Sequence, residues 1–172
     1  MKFKFKKGKH THTSLANRLR ILFSGKFRSF KVRFSEKAWY PYKNSNSWDF
    51  NKLYGLRYIL GDHINEADLV WLPIFRESKF YKEDGWIGIW GGYGYENQKR
   101  FNHNPKVDEP LAFVKVNQWV DTAIGKYDWG YEYEAGGRKE QKKHENPQTG
   151  YTIQPFFGGN NTPDNEFEIE LK

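Results

Sequence analysis

Phe30-Lys31-Val32-Arg33-Phe34 alternates apolar and charged residues at every step, the period of a strand with one face in a core and the other in water. The same alternation sets Phe3 and Phe5 against Lys2, Lys4 and Lys6, and near the other end it sets Phe167, Ile169 and Leu171 against Glu166, Glu168, Glu170 and Lys172. By the same rule Tyr127, Trp129, Tyr131 and Tyr133 share one face, opposite Asp128, Gly130, Glu132 and Glu134. Residues 53–60, 68–75, 86–95, 111–120 and 150–157 read as further strands, with Gly, Asn, Asp and Pro turn chemistry between them. Leu69-Val70-Trp71-Leu72-Pro73-Ile74-Phe75 has no polar break, which predicts cover on both faces, and Pro73 marks a bulge or an edge. Residues 14–25 fit two patterns. Leu15, Leu19 and Leu22 would line a short helix capped by Ser14 and ended by Gly25, whereas Arg18 and Arg20 alternate with Leu19, Ile21 and Phe23 as a third N-terminal strand; the strand is preferred. Residues 135–149, opening on Gly136 and Gly137 and continuing through a charge run, read as a mobile surface loop.

These elements predict an all-β fold: an antiparallel two-sheet β-sandwich of jelly-roll type with at most one short helix. A chain of 172 residues suits one core, so residues 1–43 form a basic N-terminal arm and the first strands, and residues 44–172 complete the same domain. Seven Trp, eleven Tyr and fourteen Phe are too many aromatics for a disordered chain. No fixed-period repeat supports a propeller or solenoid. The absence of Cys excludes disulfides, thiolate zinc sites and cysteine nucleophiles. No apolar run approaches the ~18 residues of a membrane span, and charges stand where a secretion signal would be apolar. No membrane association and no signal peptide are therefore expected.

Charge is uneven along the chain. Residues 1–43 carry nine Lys and four Arg against Glu36 alone, a charge of +12, and residues 44–172 carry −5. Lys2, Lys4, Lys6, Lys7, Lys9, Arg18 and Arg20 are the expected partner-binding residues of this basic arm. Its positive field suits an acidic protein surface, the protein's own acidic body or, less well, nucleic acid.

Catalytic signatures are weak. His10 and His12 would leave one face of a strand, half of a zinc site that His63 or Asp62 would have to complete, although exposed strand histidines explain them as well. Glu132 and Glu134 lie about 7 Å apart along a strand, a spacing open to glycoside hydrolysis and equally to two solvated glutamates. Gly158, Asn160, Asn161 and Asp164 suggest either a calcium loop or a tight turn. No G-x-S-x-G, Walker or H-E-x-x-H motif occurs, and no cofactor is expected. In Trp86-Ile87-Gly88-Ile89-Trp90-Gly91-Gly92-Tyr93-Gly94-Tyr95, large rings alternate with glycines. Trp86, Trp90 and Tyr93 are the candidate glycan-stacking residues, the competing reading being that these rings are core and the glycines mark close packing.

Four blocks carry a resemblance: Gly8-Lys9-His10, Trp48-Asp49-Phe50-Asn51-Lys52-Leu53-Tyr54-Gly55, the block from His63 to Trp71, and Gly150-Tyr151-Thr152-Ile153-Gln154-Pro155-Phe156-Phe157-Gly158-Gly159-Asn160. Together they resemble a group of small uncharacterised all-β proteins encoded by phages and prophages of gut Bacteroidetes. The chain departs from that group at Asn161-Thr162-Pro163-Asp164-Asn165, where the group tends toward Pro-Ala-Pro-His-Asp. The resemblance implies a phage setting, in the virion or the host cytoplasm, and no assigned activity. The expected function is a non-enzymatic virion structural or decorating protein that binds particle proteins or its own copies, with Tyr40, Tyr42 and Trp48 as exposed anchors. The alternatives are a lectin-like module for host glycans and a nucleic-acid-binding or anti-defence protein.

Overall fold

A computed structural model describes residues 1–11, 25–41, 43, 49–57, 66–96, 99–101, 103–158 and 163–172. Two antiparallel sheets pack face to face as a β-sandwich. The first contains β1 (Lys2–Phe5), β2 (Phe27–Phe34), β8 (Trp119–Tyr127), β9 (Gly130–Ala135), β10 (Arg138–Lys143) and β12 (Phe167–Leu171), in the order β1-β12-β2-β8-β9-β10. The second contains β3 (Asn51–Arg57), β4 (Glu66–Pro73), β5 (Trp86–Glu96), β6 (Lys99–Phe101), β7 (Ala112–Lys115) and β11 (Tyr151–Ile153), in the order β11-β3-β4-β5-β6, with β7 also on β5. Consecutive strands mostly stay within one sheet, as the meanders β3-β4-β5 and β8-β9-β10, and β12 returns to lie between β1 and β2. Among the described residues, the one helical element is a 3-10 turn at Glu36–Ala38. The segment 14–25 that fits both helix and strand lies outside the described residues except for Gly25.

Alternation decides which side chains meet between the sheets. Phe3, Phe5, Val32, Phe34, Phe167, Ile169 and Leu171 are all buried in one core with Trp71 of β4. The Trp71 ring lies 5.0 Å from Phe34 and 5.9 Å from Phe167. A polar stitch crosses the same core: Tyr54 donates to Thr122 Oγ1 at 2.9 Å, and Thr122 donates to the Phe30 carbonyl at 2.8 Å. Tyr133 is also buried, but its hydroxyl has no hydrogen-bond partner among the described residues.

Every residue of β4 is buried, as the unbroken apolar run predicts. The outward face of the second sheet is a second core of Phe50, Val70, Leu72, Ile74 and Trp90, against which Phe80, Tyr81, Trp86 and Phe113 pack. Pro73 is the last residue of β4, where a missing N–H costs the ladder little.

Three expectations change. Residues 127–133 are not one continuous strand face, because Tyr127 pairs with Gly130 across an intervening turn. Tyr131 and Tyr133 point into the core, whereas Tyr127 and Trp129 stay 40% and 39% exposed. Residues 138–143 are not a loop but the edge strand β10, closed onto β9 by Gly136 and Gly137 at φ 58° and 82°, the paired positive φ of a two-residue hairpin turn. The segment expected as one strand over 111–120 is split between β7 and β8 near Asn117, whose φ is 67°.

Candidate functional site

The basic N-terminal segment begins as an edge strand rather than a free arm. β1 pairs with β12 so that Lys2 faces Glu170 and Lys4 faces Glu168 in register. Lys2 lies 3.5 Å from Glu168, and Lys4 lies 3.8 Å from Glu166. Lys31 pairs with Asp121 at 3.6 Å, and Arg33 pairs with Glu170. Much of the expected positive face is therefore a ladder of alternating charge. Lys6, Lys7 and Lys9 follow the strand, are exposed, and make no ion pair among the described residues. Arg18 and Arg20 lie outside the described residues.

Trp86, Trp90 and Tyr93 do not form an open platform. Trp90 is 1% exposed and donates from Nε1 to the Asp108 carbonyl at 3.0 Å, so no sugar ring reaches it. Trp86 is half-buried against the same second core, its Nε1 donating to Glu83 at 3.2 Å. Tyr93 is placed by its backbone opposite Asp68, and its side chain lies outside what is described. The alternating glycines have a packing role. A Cβ at Gly88 would lie 2.6 Å from Trp90 Cζ3 and 2.8 Å from Ile74 Cδ1, so the glycine makes room for the neighbouring ring.

Exposed aromatic surface lies on the other sheet, at residues the sequence placed in a core face or did not single out. Phe27, 58% exposed, pairs with Gly125, and Tyr127 and Trp129 stand at the end of the same strand pair. The Tyr127 and Trp129 rings stack with centroids 5.2 Å apart and planes 7° from parallel. A Cβ on Gly125 would lie 3.1 Å from Tyr127 Cε2 and 3.2 Å from Phe27 Cδ2, so both rings lean over a floor without a side chain. The register continues this row from Gly125 to Glu132 and then Gln141. Glu132 accepts from Lys139 at 2.8 Å and from Gln141 at 3.0 Å. Those bonds hold its carboxyl below the ordinary range, the reverse of what a general acid in glycoside hydrolysis needs.

A buried ionic group occupies the other end of the second sheet's outward face. Glu66 and Asp68 are fully buried; Lys52 reaches both, and Arg57 lies 2.9 Å from Glu66. The Lys52 ammonium sits 3.0 Å from Asp68 Oδ2 but off a hydrogen-bonding direction. Burial pushes Asp68 up to about 7 against the lowering pull of Lys52 and Arg57, with Glu66 adding to the rise. Burial opposes the charge on Lys52, and Asp68 and Glu66 more than restore it, so its pKa lies above the usual lysine value. Nothing in the alternation pattern separates such a quartet from solvated charges, because what buries it is not local in sequence.

Other candidates resolve simply. His10 Nδ1 lies 2.8 Å from the Phe157 carbonyl and its ring stacks on Phe156; His12, His63 and Asp62 lie outside the described residues, as do residues 159–162 of the calcium candidate. No group of three metal-ligating side chains occurs among the described residues. Tyr40 is not an exposed anchor: its ring packs against Phe75 and Phe157 and its hydroxyl accepts from Asn51 at 3.1 Å. Tyr42 and Trp48 lie outside the described residues. No helix among the described residues is long and apolar enough to cross a membrane. No family model and no curated protein matches the chain.

Proposed function

We propose that the chain is a non-enzymatic structural or decorating protein of a phage particle, docking through the basic end of its first sheet onto an acidic protein surface. The observation that carries this reading is the contrast within one strand and its exit. Lys2 and Lys4 are matched by carboxylates, but Lys6, Lys7 and Lys9 are exposed beyond them without an ion pair among the described residues. Such a cluster steers and registers an acidic partner more than it adds raw affinity. Docking by an end or a face, rather than by strand addition, fits the blunted edges of the first sheet. β1 is four residues long with alternating lysines, and β10 reads Arg-Lys-Glu-Gln-Lys-Lys, both devices that discourage edge-to-edge pairing. The phage setting rests on the four sequence blocks.

Mass spectrometry of purified particles from the encoding phage tests the reading. Tens to hundreds of copies per particle are expected, and a K6E/K7E/K9E variant should be incorporated poorly while melting like the wild type. Absence of the chain from the particle, or full incorporation of the charge-reversed variant, overturns it.

A further inference from the structure

We infer that the opposite end of the first sheet is a glycan-binding site, with Phe27 and an outer face of the Tyr127–Trp129 stack packing on a pyranose ring and Glu132 accepting its hydroxyls. The register separates this end from the basic one. Phe3 lies level with Phe34 through Ile169, whereas Phe27 lies level with Gly125, so Lys6 and Phe27 are roughly 30 Å apart along the strands. The two sites therefore stand or fall separately.

Three features suit a sugar. Tyr127 and Trp129 stack on each other, and each remains about 40% exposed, so the pair offers an outer ring face of the kind that meets the C–H face of a pyranose. Gly125 lets the rings of Phe27 and Tyr127 both close over one backbone position, which holds the two apolar surfaces side by side. Glu132, one strand beyond Gly125 and so about 5 Å away, is already oriented by Lys139 and Gln141. A carboxylate held ionised by two donors keeps lone pairs for neighbouring hydroxyls and needs no reordering when a ligand arrives. Stacking on rings also suits unpaired nucleobases, but Asp128 stands in the turn between the two rings, and Glu132 and Glu134 on the adjoining strand share Lys139, so carboxylates outnumber that lysine and disfavour phosphate more than hydroxyls. Protein partners of a flat aromatic patch call for a charge-depleted centre, and here Glu132 and Lys139 adjoin the rings.

Retention of the full chain on an array of neutral and acidic oligosaccharides tests the inference, with a twenty-residue oligothymidylate as the competing probe. Binding to one glycan class is expected, with Tyr127→Ala and Trp129→Ala each weakening it about tenfold and both variants melting close to the wild type. Trp119→Ala is the control, since Trp119 is 40% exposed at the far end of the same strand, beneath Arg33; it should leave binding unchanged. Emission of Trp129 should shift on titration with the retained glycan, and the shift should vanish in Trp129→Phe. No retention by any glycan, equal loss in Trp119→Ala, or preference for the oligothymidylate overturns the inference. None of these outcomes bears on particle incorporation through Lys6, Lys7 and Lys9.

Discussion

Two regions interleave aromatic rings with glycine, and they meet opposite fates. On β5, Trp86, Gly88 and Trp90 share a face with Val70 and Leu72 of β4, and that face is roofed by residues of the segment that includes Phe80 and Tyr81. On β8, Gly125 and Tyr127 share a face with Phe27, and among the described residues nothing roofs them. Both places set large rings beside glycine. What differs is whether a third layer of chain lies over the sheet, and that layer makes Trp90 a core residue and leaves Trp129 in water. Glycine has a different job in each case: Gly88 admits the ring of Trp90, whereas Gly125 supports rings from below.

Substitutions separate the two regions. The largest effect falls on Trp90→Ala, which should cost about 3–5 kcal/mol by emptying the second core; chemical denaturation would show it, and a loss no greater than that of Trp129→Ala would mean the two regions are alike. Gly88→Ala comes next, at about 1–3 kcal/mol, because the new methyl would sit 2.6 Å from Trp90 Cζ3. Gly125→Ala meets its nearest atom at 3.1 Å, on an exposed ring that can move aside, so its cost should stay within about 0.5 kcal/mol. Equal midpoint shifts in the two glycine variants would show that the roofed ring yields as easily as the exposed one.

Asp68 extends the comparison to charge, since it lies on the same covered face as Val70. Its folded-state pKa of about 7 stands above the ordinary carboxyl value, so the folded form holds a proton that the unfolded chain has released. That contribution to stability is fully present below pH ~4 and is lost as pH rises through about 7. Unfolding free energies of wild type minus Asp68→Asn, measured from pH 4 to 8, should fall with pH; a flat difference would show that the carboxyl is solvated. The same titration of Glu132→Gln, on the open face, should slope the other way and more weakly, because Glu132 is held below its ordinary range and is partly exposed.

The sandwich was legible because burial alternates with period two in β1, β2 and β12, and nothing in those segments competes with that signal. The exposed aromatic row was not legible, for two physical reasons. The turn at Asp128 and Trp129 reverses which face the following residues take, so counting by twos across it places Tyr127 with Tyr131, one exposed and one buried. β10 has no apolar alternation because its edge position leaves it mostly wet, and a wholly polar strand looks like a loop until its partner is known. The positive segment departs in the other direction: its charges are all present, but the carboxylates that neutralise Lys2 and Lys4 lie more than 160 positions away.

That separation also sets an order in time. Phe3 cannot pair until Ile169 has been made, and at cellular rates of about 5–20 residues per second the first strand waits on the order of ten seconds or more for its neighbour. Throughout that interval two phenylalanines and an open row of backbone donors are offered to any other growing chain. Lys2 and Lys4, modest in worth once paired on the finished surface, would then act as gatekeepers during synthesis, keeping this strand from finding the wrong companion.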